Sequence, residues 1–437
     1  MILELDQADP QFHAKLDALL ALPEEDRRSV RAVVQEIIDK VRQQGDAAVV
    51  ELTNRFDRRA AADMSALTID RDRLVQAYES VDADVRAALV LSAERVRAYH
   101  ERQLEALGQN WEFTDEEGNR LGQRIRPMQR VGLYAPGGKA AYPSTVIMTA
   151  VPARVAGVSE LVLCVPTPDG EVNETLLAAA HVAGIEKVFT IGGAQAVAAM
   201  AYGTQAVPRV DKIVGPGNIY VATAKELVFG QVGIDMIAGP SEVVIIADDS
   251  AAPDWLVKDM FAQAEHDELA QSILITADPD IASAVIARLP ALLDEQPRQD
   301  IIRVSLADRG AVIRVGSLED AFTLANRIAP EHLQLAIRDP DNYLDQVRHA
   351  GAVFLGTETA EVVGDYTAGP SHVLPTSGTA RFASPLGTYD FQTRTSVIRN
   401  SPAGTVTLNR PAAVLAREEG LMAHAASALA RLDGQES

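Results

Sequence analysis

From Val131 onward the chain alternates short apolar runs with helical stretches, and that rhythm constrains its fold more than any other feature. The runs are 131–134, 160–165, 187–191 and 212–214, then 242–247, 271–276, 311–315 and 352–355. Between them, residues 174–183, 254–268, 278–293 and 318–328 carry apolar side chains at helical spacing. A parallel neighbour strand can be started only after a crossover, so strands alternating with helices predict parallel sheets covered on both faces. Two such series predict two α/β units of similar build, with the break near Gly239-Pro240.

The flanks read differently. Residues 9–108 are helical in pattern, with Val33, Val34, Ile37, Ile38 and Val41 on one face and a second amphipathic run over 84–107. Residues 112–129 are polar, with a turn at Glu117-Gly118-Asn119, and predict a hairpin. From about Arg381 the chain holds few core-building residues: a short strand at Val406 and a helical end over 411–432. A segment this thin must pack on something else, such as a second subunit.

At 437 residues, 47% hydrophobic and 23% charged, the chain has material for two or three cored domains. Its net charge of −21 argues against nucleic acid or an anionic membrane as partner. Cys164 is the only cysteine, inside the apolar run Leu161-Val162-Leu163-Cys164-Val165, and reads as a small buried hydrophobe. A bound metal must therefore rely on nitrogen and oxygen ligands. The N-terminus lacks the basic region of a signal peptide, and no apolar run reaches membrane-spanning length. A cytoplasmic protein is expected.

Context must choose among eight histidines. His13, His100, His181 and His349 lack acidic partners at useful spacing and read as structural or surface residues. Gln263 and His266 are three apart on a predicted helix and can meet one ion, although the pattern is not His-Glu-x-x-His. Ala329-Pro330-Glu331-His332 sets a carboxylate beside an imidazole after a helix end, two groups able to move protons near neutral pH. A solvated helix terminus is the plainer reading of the same residues. Residues 364–375 form a Gly/Pro-rich loop carrying Asp365 and His372, and Glu419-Gly420 precedes His424 near the end. Tyr134-Ala135-Pro136-Gly137-Gly138-Lys139-Ala140 fails the phosphate-loop pattern at Leu133 and Ala140. Gly215-Pro216-Gly217-Asn218-Ile219-Tyr220 fails the dinucleotide fingerprint at Tyr220. On residues alone the reading stops at a soluble α/β protein with a candidate His/Asp/Gln metal site.

Taken in order, however, the segments resemble the histidinol dehydrogenase family over nearly the whole chain. Gly45-Asp46-Ala47-Ala48, Tyr134-Ala135-Pro136-Gly137-Gly138, Gly192-Gly193-Ala194-Gln195, Gly215-Pro216-Gly217-Asn218 and Ala238-Gly239-Pro240-Ser241-Glu242 carry the likeness. It continues through Gln263-Ala264-Glu265-His266, Ala329-Pro330-Glu331-His332, Ser371-His372-Val373-Leu374-Pro375-Thr376 and the His424 region.

The resemblance implies a zinc- and NAD-dependent enzyme oxidising L-histidinol to L-histidine, with Glu331 and His332 catalytic. It implies zinc ligands Gln263, His266 and Asp365, with His424 reaching over from the partner of a homodimer. Tyr134, Gln195 and Asn218 match NAD-contacting positions. Ser241, His372 and Glu419 match substrate-contacting ones, joined there by Gln263, His266, His332, Asp365 and His424. The implied fold is two incomplete Rossmann-like domains with a C-terminal tail exchanged between subunits. Its division is a helical segment at 1–24, a zinc-carrying domain at 25–130 plus 241–380, an NAD domain at 131–240 and a tail at 381–437.

Related readings are a zinc and NAD dehydrogenase of another small polar alcohol, such as a sulfonated diol, and a zinc hydrolase. Glu419 and His424 are assigned to one site yet stand about 140° apart on a continuous helix, so a helix break near Gly420 is expected.

Overall fold

Each series of strands forms its own parallel sheet in the computed structural model, which describes residues 2–21, 27–137 and 142–432. The first sheet runs Leu3–Asp6, Ala311–Arg314, Gln271–Thr276, Glu242–Ala247, His332–Ala336 and Ala352–Leu355, with every neighbouring pair parallel. The second runs Thr68–Asp70, Lys187–Phe189, Glu160–Cys164, Arg130–Tyr134, Lys212–Val214 and Gly233–Ile234, parallel except at its antiparallel edge strand Thr68–Asp70. Inside those outer edge strands the two sheets share one order. Three strands are laid down in one direction, and the next two fall on the other side of the first. The reversal lies between Glu242–Ala247 and His332–Ala336 in one sheet and between Arg130–Tyr134 and Lys212–Val214 in the other. Open sheets form ligand crevices at such reversals.

The central strands Glu242–Ala247, Gln271–Thr276 and His332–Ala336 are buried at every position, as covering on both faces demands. His332–Ala336 is absent from the sequence reading, as are Leu3–Asp6, Thr68–Asp70 and Gly233–Ile234.

The domain division needs correction. The sequence reading joins 25–130 to the zinc-carrying domain, but Arg27–Gln44, Asp46–Phe56, Arg71–Ser80 and Ala83–Leu107 pack on the second sheet. Val34, Val49 and Leu52 share a core with Val162 and Phe189, while Leu74, Leu89 and Val96 share one with Val131 and Leu177. Helical periodicity shows that a face is apolar, not which sheet will cover it. Nor is the N-terminal segment only helical: strand Leu3–Asp6 extends the first sheet before helix Phe12–Leu20. The boundary at residue 24, like Gly138-Lys139-Ala140, lies outside the described residues.

The expected hairpin forms from Trp111–Thr114 and Arg120–Pro127, turning at Gly118 with φ +80°. Strand Gln392–Arg399 pairs antiparallel with its second arm, so the tail is anchored on the hairpin of its own chain. Val406 is helical rather than a strand. Ser401 caps helix Pro402–Glu418 by accepting from the Gly404 N–H, and Pro402 pre-sets the first turn. That helix stops at Gly420 (φ +75°) and resumes as Met422–Leu429, the interruption expected there. The tail's own core is Ala413, Ala416 and Ala425, while Ile398, Val414, Leu415 and Met422 are exposed. No helix among the described residues is long and apolar enough to cross a membrane.

Candidate active site

The amino edge of the first sheet collects most of the singled-out side chains. Helix Leu318–Ile328 ends at Ala329 in the left-handed conformation (φ +54°), and Pro330 follows. The chain then enters the sheet at His332, beside Val243. Glu242 pins both members of the Glu331-His332 pair through its backbone. Its N–H donates to Glu331 Oε2 (2.9 Å), and its carbonyl accepts from His332 Nδ1 (2.9 Å). A carbonyl only accepts, so Nδ1 carries the proton and a neutral His332 keeps its lone pair on Nε2. That atom faces Glu361 Oε1 at 3.3 Å and Asp365 Oδ1 at 4.0 Å.

Asp365 rides on the short helix Val362–Tyr366 and is the hub of the cluster. His266 Nε2 lies 4.0 Å from its Oδ2, and His372 Nδ1 lies 3.7 Å from its Oδ1. His266 sits just past helix Pro253–Ala264, whose last turn carries Gln263, with the His266 N–H donating to the Gln263 carbonyl. That helix returns from the strand before it, so its C-terminal end reaches the amino edge. Ser241 precedes strand Glu242–Ala247 at this same edge. The expected ligands Gln263 and His266 thus lie at the end of an element reaching this edge, with Asp365 beside His266, whereas Glu419 and His424 are exposed on either side of the Gly420 break.

Glu361 escaped the sequence reading. It is 2% exposed, and with His332 and Asp365 it offers ligand atoms within 4.8 Å of one another. Its one sequence signal is the four-residue spacing to Asp365, which puts both carboxyls on one face of a helical turn.

Glu331, His332, Glu361 and Glu242 are buried, and Asp365 and His372 nearly so. Desolvation raises Asp365 and Glu361 well above ordinary carboxylates, and the negative charges of Asp365 and Asp259 add to the effect on Glu361. Burial likewise lifts Glu331 far up and Glu242 to about 7, and it lowers His332 and His372 to about 4. Gln263 is 1% exposed and its Oε1 has no hydrogen-bond partner among the described residues. Neutral imidazoles, buried carboxyls and an orphan amide oxygen make a donor set suited to a divalent cation of the zinc type.

The second sheet uses its carboxyl edge. Tyr134 ends strand Arg130–Tyr134, and its phenol oxygen accepts from the Gly193 N–H (3.1 Å) at the start of helix Gly193–Tyr202. Gln195 is buried in the first turn of that helix. Asn218 caps helix Ile219–Val228, accepting from the Tyr220 and Val221 N–H groups. Two helix N-termini therefore open beside the strand reversal, an arrangement that favours anionic groups. A cavity of about 550 Å³ continues along this edge, bordered by Gly137, Pro166, Thr167 and Thr190.

The two edges meet. Thr145, in the first turn of helix Pro143–Val155, reaches His372 Nε2 at 3.3 Å, and Ser371 Oγ donates to the Met148 carbonyl. The other histidines stand apart. His100 is fully buried with Nδ1 on the Val96 carbonyl, His13 contacts Arg327, and His181 packs on Tyr78. Cys164 is buried and its thiol is pushed up, an inert side chain.

Known proteins resemble this chain end to end. The histidinol dehydrogenase family profile matches residues 20–432. Histidinol dehydrogenases of Chromobacterium violaceum (56% identical over 432 residues, 99% of each chain) and Pseudomonas aeruginosa (57% over 431, 99% of this chain and 97% of the other) align throughout. The crystal structure of the Elizabethkingia anophelis histidinol dehydrogenase superposes with a TM-score of 0.92 at 32% identity, covering 100% of this chain and 99% of that one. With a fold and a reactive edge of this form, the chain belongs to the histidinol dehydrogenase family and is an oxidoreductase of histidine biosynthesis.

Proposed function

We propose that the chain oxidises L-histidinol to L-histidine through a retained aldehyde, in two successive NAD-linked steps at a zinc site shared by two subunits. One observation supports this above others: the His332 Nε2 lone pair faces a buried acid and imidazole cluster that Thr145 and His372 join to the glycine-rich carboxyl edge.

Gln263, His266 and Asp365 would hold Zn²⁺, with His424 of a second copy completing the set. The ion supplies a fixed charge and coordination points for a nitrogen-bearing substrate, and NAD bound against Tyr134, Gln195 and Asn218 supplies the hydride acceptor. His332 is neutral at pH 7 because burial lowers its pKa, so Nε2 can take the alcohol proton; Glu242 holds the ring in the tautomer that allows it. Glu331, in its ionised form, serves to draw a proton from the water that hydrates the aldehyde, and burial strengthens its hold on that proton. Ser241, His372 and Glu419 line the substrate, with Glu419 crossing with His424. The exposed Val414, Leu415 and Met422 flanking the Gly420 break support the homodimer, since a second copy is the cover that would carry His424 to the cluster. A reducing cytoplasm suits a chain whose only thiol is buried.

The test is NADH absorbance with histidinol before and after chelation. Two NADH per histidinol, lost on chelation and restored by Zn²⁺, is the expected result. Turnover indifferent to chelator, or preferred turnover of a sulfonated diol, would overturn it.

A further inference from the structure

We infer that the buried ion pair Lys225–Asp235 is a positioning device for the Gly215–Asn218 loop, and through it for dinucleotide binding; the inference rests on the NAD reading above. Lys225 lies on helix Ile219–Val228, is 2% exposed and is among the largest fully buried side chains in the molecule. Its ammonium pairs with the equally buried Asp235 carboxylate, just past edge strand Gly233–Ile234.

Both members of the pair grip one residue. Lys225 Nζ donates to the Gly215 carbonyl (2.9 Å), and Asp235 Oδ2 accepts from the Gly215 N–H (2.7 Å). Gly215 is the first residue after strand Lys212–Val214 at the winding reversal. It holds φ +114°, and a Cβ there would stand 2.0 Å from the Tyr134 carbonyl, so its backbone must be a glycine's and lies tight against the neighbouring strand end. Gly215-Pro216-Gly217 leads directly to Asn218, the cap of the helix that carries Lys225 about two turns later. The helix therefore clamps the loop that begins it, with Asp235 closing the clamp from the next strand.

Stability alone is a weak reason to bury such a pair, because desolvating both charges offsets much of their attraction and apolar replacements commonly fold as well. The geometry accounts for it differently. Two oppositely charged groups on the two faces of a single residue's backbone set its orientation, which one apolar contact could not do. Gly215 in turn carries the strand end next to Tyr134 and the approach to Asn218, so the pair fixes the spacing of the two on which the dinucleotide is proposed to lie. Lys225 and Asp235 touch no substrate in this scheme and act only through the loop.

A purely structural pair and a positioning pair differ in what apolar replacement restores. In Lys225→Met the Asp235 charge is left buried alone, and both the melting temperature and NADH affinity should fall. In Lys225→Met/Asp235→Leu no charge is stranded, so the melting temperature should recover. NADH affinity, read by NADH fluorescence on the zinc-loaded dimer, should stay roughly tenfold or more below wild type. The KM for NAD should rise by the same factor, while the KM for histidinol and the zinc content hold. A double variant with wild-type melting and wild-type NADH affinity overturns the inference. Should the double variant not fold, Lys225→Met alone carries the test: it removes the donor to the Gly215 carbonyl, and unchanged NADH affinity there overturns the inference equally. Absence of NADH binding by the wild-type dimer is a failure of the NAD reading itself, visible before either residue is changed.

Discussion

At the amino edge of the first sheet the reactive groups are titratable side chains, buried in Glu331, His332 and Glu361 and partly exposed in Asp365 and His372. At the carboxyl edge of the second, two helix N-termini, Gly215 and Tyr134 present mostly backbone and neutral polar atoms. The strand order is the same in both sheets. What differs is which end of the crossover connections faces inward. Helices starting at a carboxyl edge offer unpaired N–H groups, suited to phosphates and requiring no charge burial. Helices ending at an amino edge bring side chains such as Gln263 toward strand starts such as His332. There, several carboxyls can be crowded at a cost of several kcal/mol per unpaired ion, a cost a bound cation offsets. On the function proposed above, one topology serves as a dinucleotide shelf and a metal pocket by presenting opposite edges across the Thr145–His372 contact.

The largest expected effect separates the edges. His332→Asn retains a donor for the Glu242 carbonyl but loses the Nε2 base. Oxidation of histidinol and of supplied histidinal should both slow by about 10²–10⁴-fold, with NADH affinity unchanged. Glu331→Gln should slow the aldehyde step more than the alcohol step, because only that step needs an activated water. Single-turnover NADH formation from each substrate measures the two. Equal losses for Glu331→Gln would break the division of roles, and a loss of NADH affinity in His332→Asn would break the division between edges.

A second prediction holds that the first edge is incomplete in one chain while the second edge is complete. His332→Ala and His424→Ala chains, each inactive alone, are co-refolded in equal amounts. Random pairing makes half the dimers mixed, and with His424 supplied from the partner one of their two sites is intact, so about a quarter of wild-type activity returns. If each chain used its own His424, every site would keep one defect. Background activity despite demonstrated subunit exchange decides against the shared site, whereas NADH binding should be normal in all the mixtures.

Part of this architecture is legible in the sequence. The strand and helix series over 131–355 follows from spacing, and the Gly420 break follows from assigning Glu419 and His424, by family resemblance, to one site. What escaped was tertiary. Strand His332–Ala336 is buried at every position, yet its His332 and Gln334 interrupt the apolar run that would have marked it, so His332 read as a residue beside a helix end. Glu361 lies in the polar stretch 357–361, and only the folding of Val362–Tyr366 over the sheet buries it. Residues 27–107 displayed their apolar face clearly, but the choice between two sheets of one topology is made by packing that no local pattern records. Ligand roles came from family resemblance and not from spacing, since a bare Gln-x-x-His does not distinguish a metal site from a helix end.

The third prediction concerns proton linkage and is confined to the first edge. Burial holds the Asp365 and Glu361 pKa values above those of the unfolded chain. Below about pH 3, where both states are protonated, this has no effect on metal-free stability. As pH rises past the unfolded values, the unfolded chain releases protons that the folded cluster keeps, so stability falls with pH until the folded groups ionise too. His332 and His372 act in the opposite sense. Their lowered values mean the unfolded chain gains protons below about pH 6.5 that the fold refuses, and stability is lost as pH falls toward 4. A bound cation needs the carboxyls ionised and relieves their burial, so its stabilisation should grow with pH across the carboxylate window. The increase in melting temperature on saturating with Zn²⁺ should be on the order of 5 °C larger at pH 7.5 than at pH 5.5. Saturating NADH, held by dipoles at the other edge, should give nearly the same increase at both. A zinc increment independent of pH would mean that the ion binds away from Asp365, and the assignment of the metal to this edge would have to be abandoned.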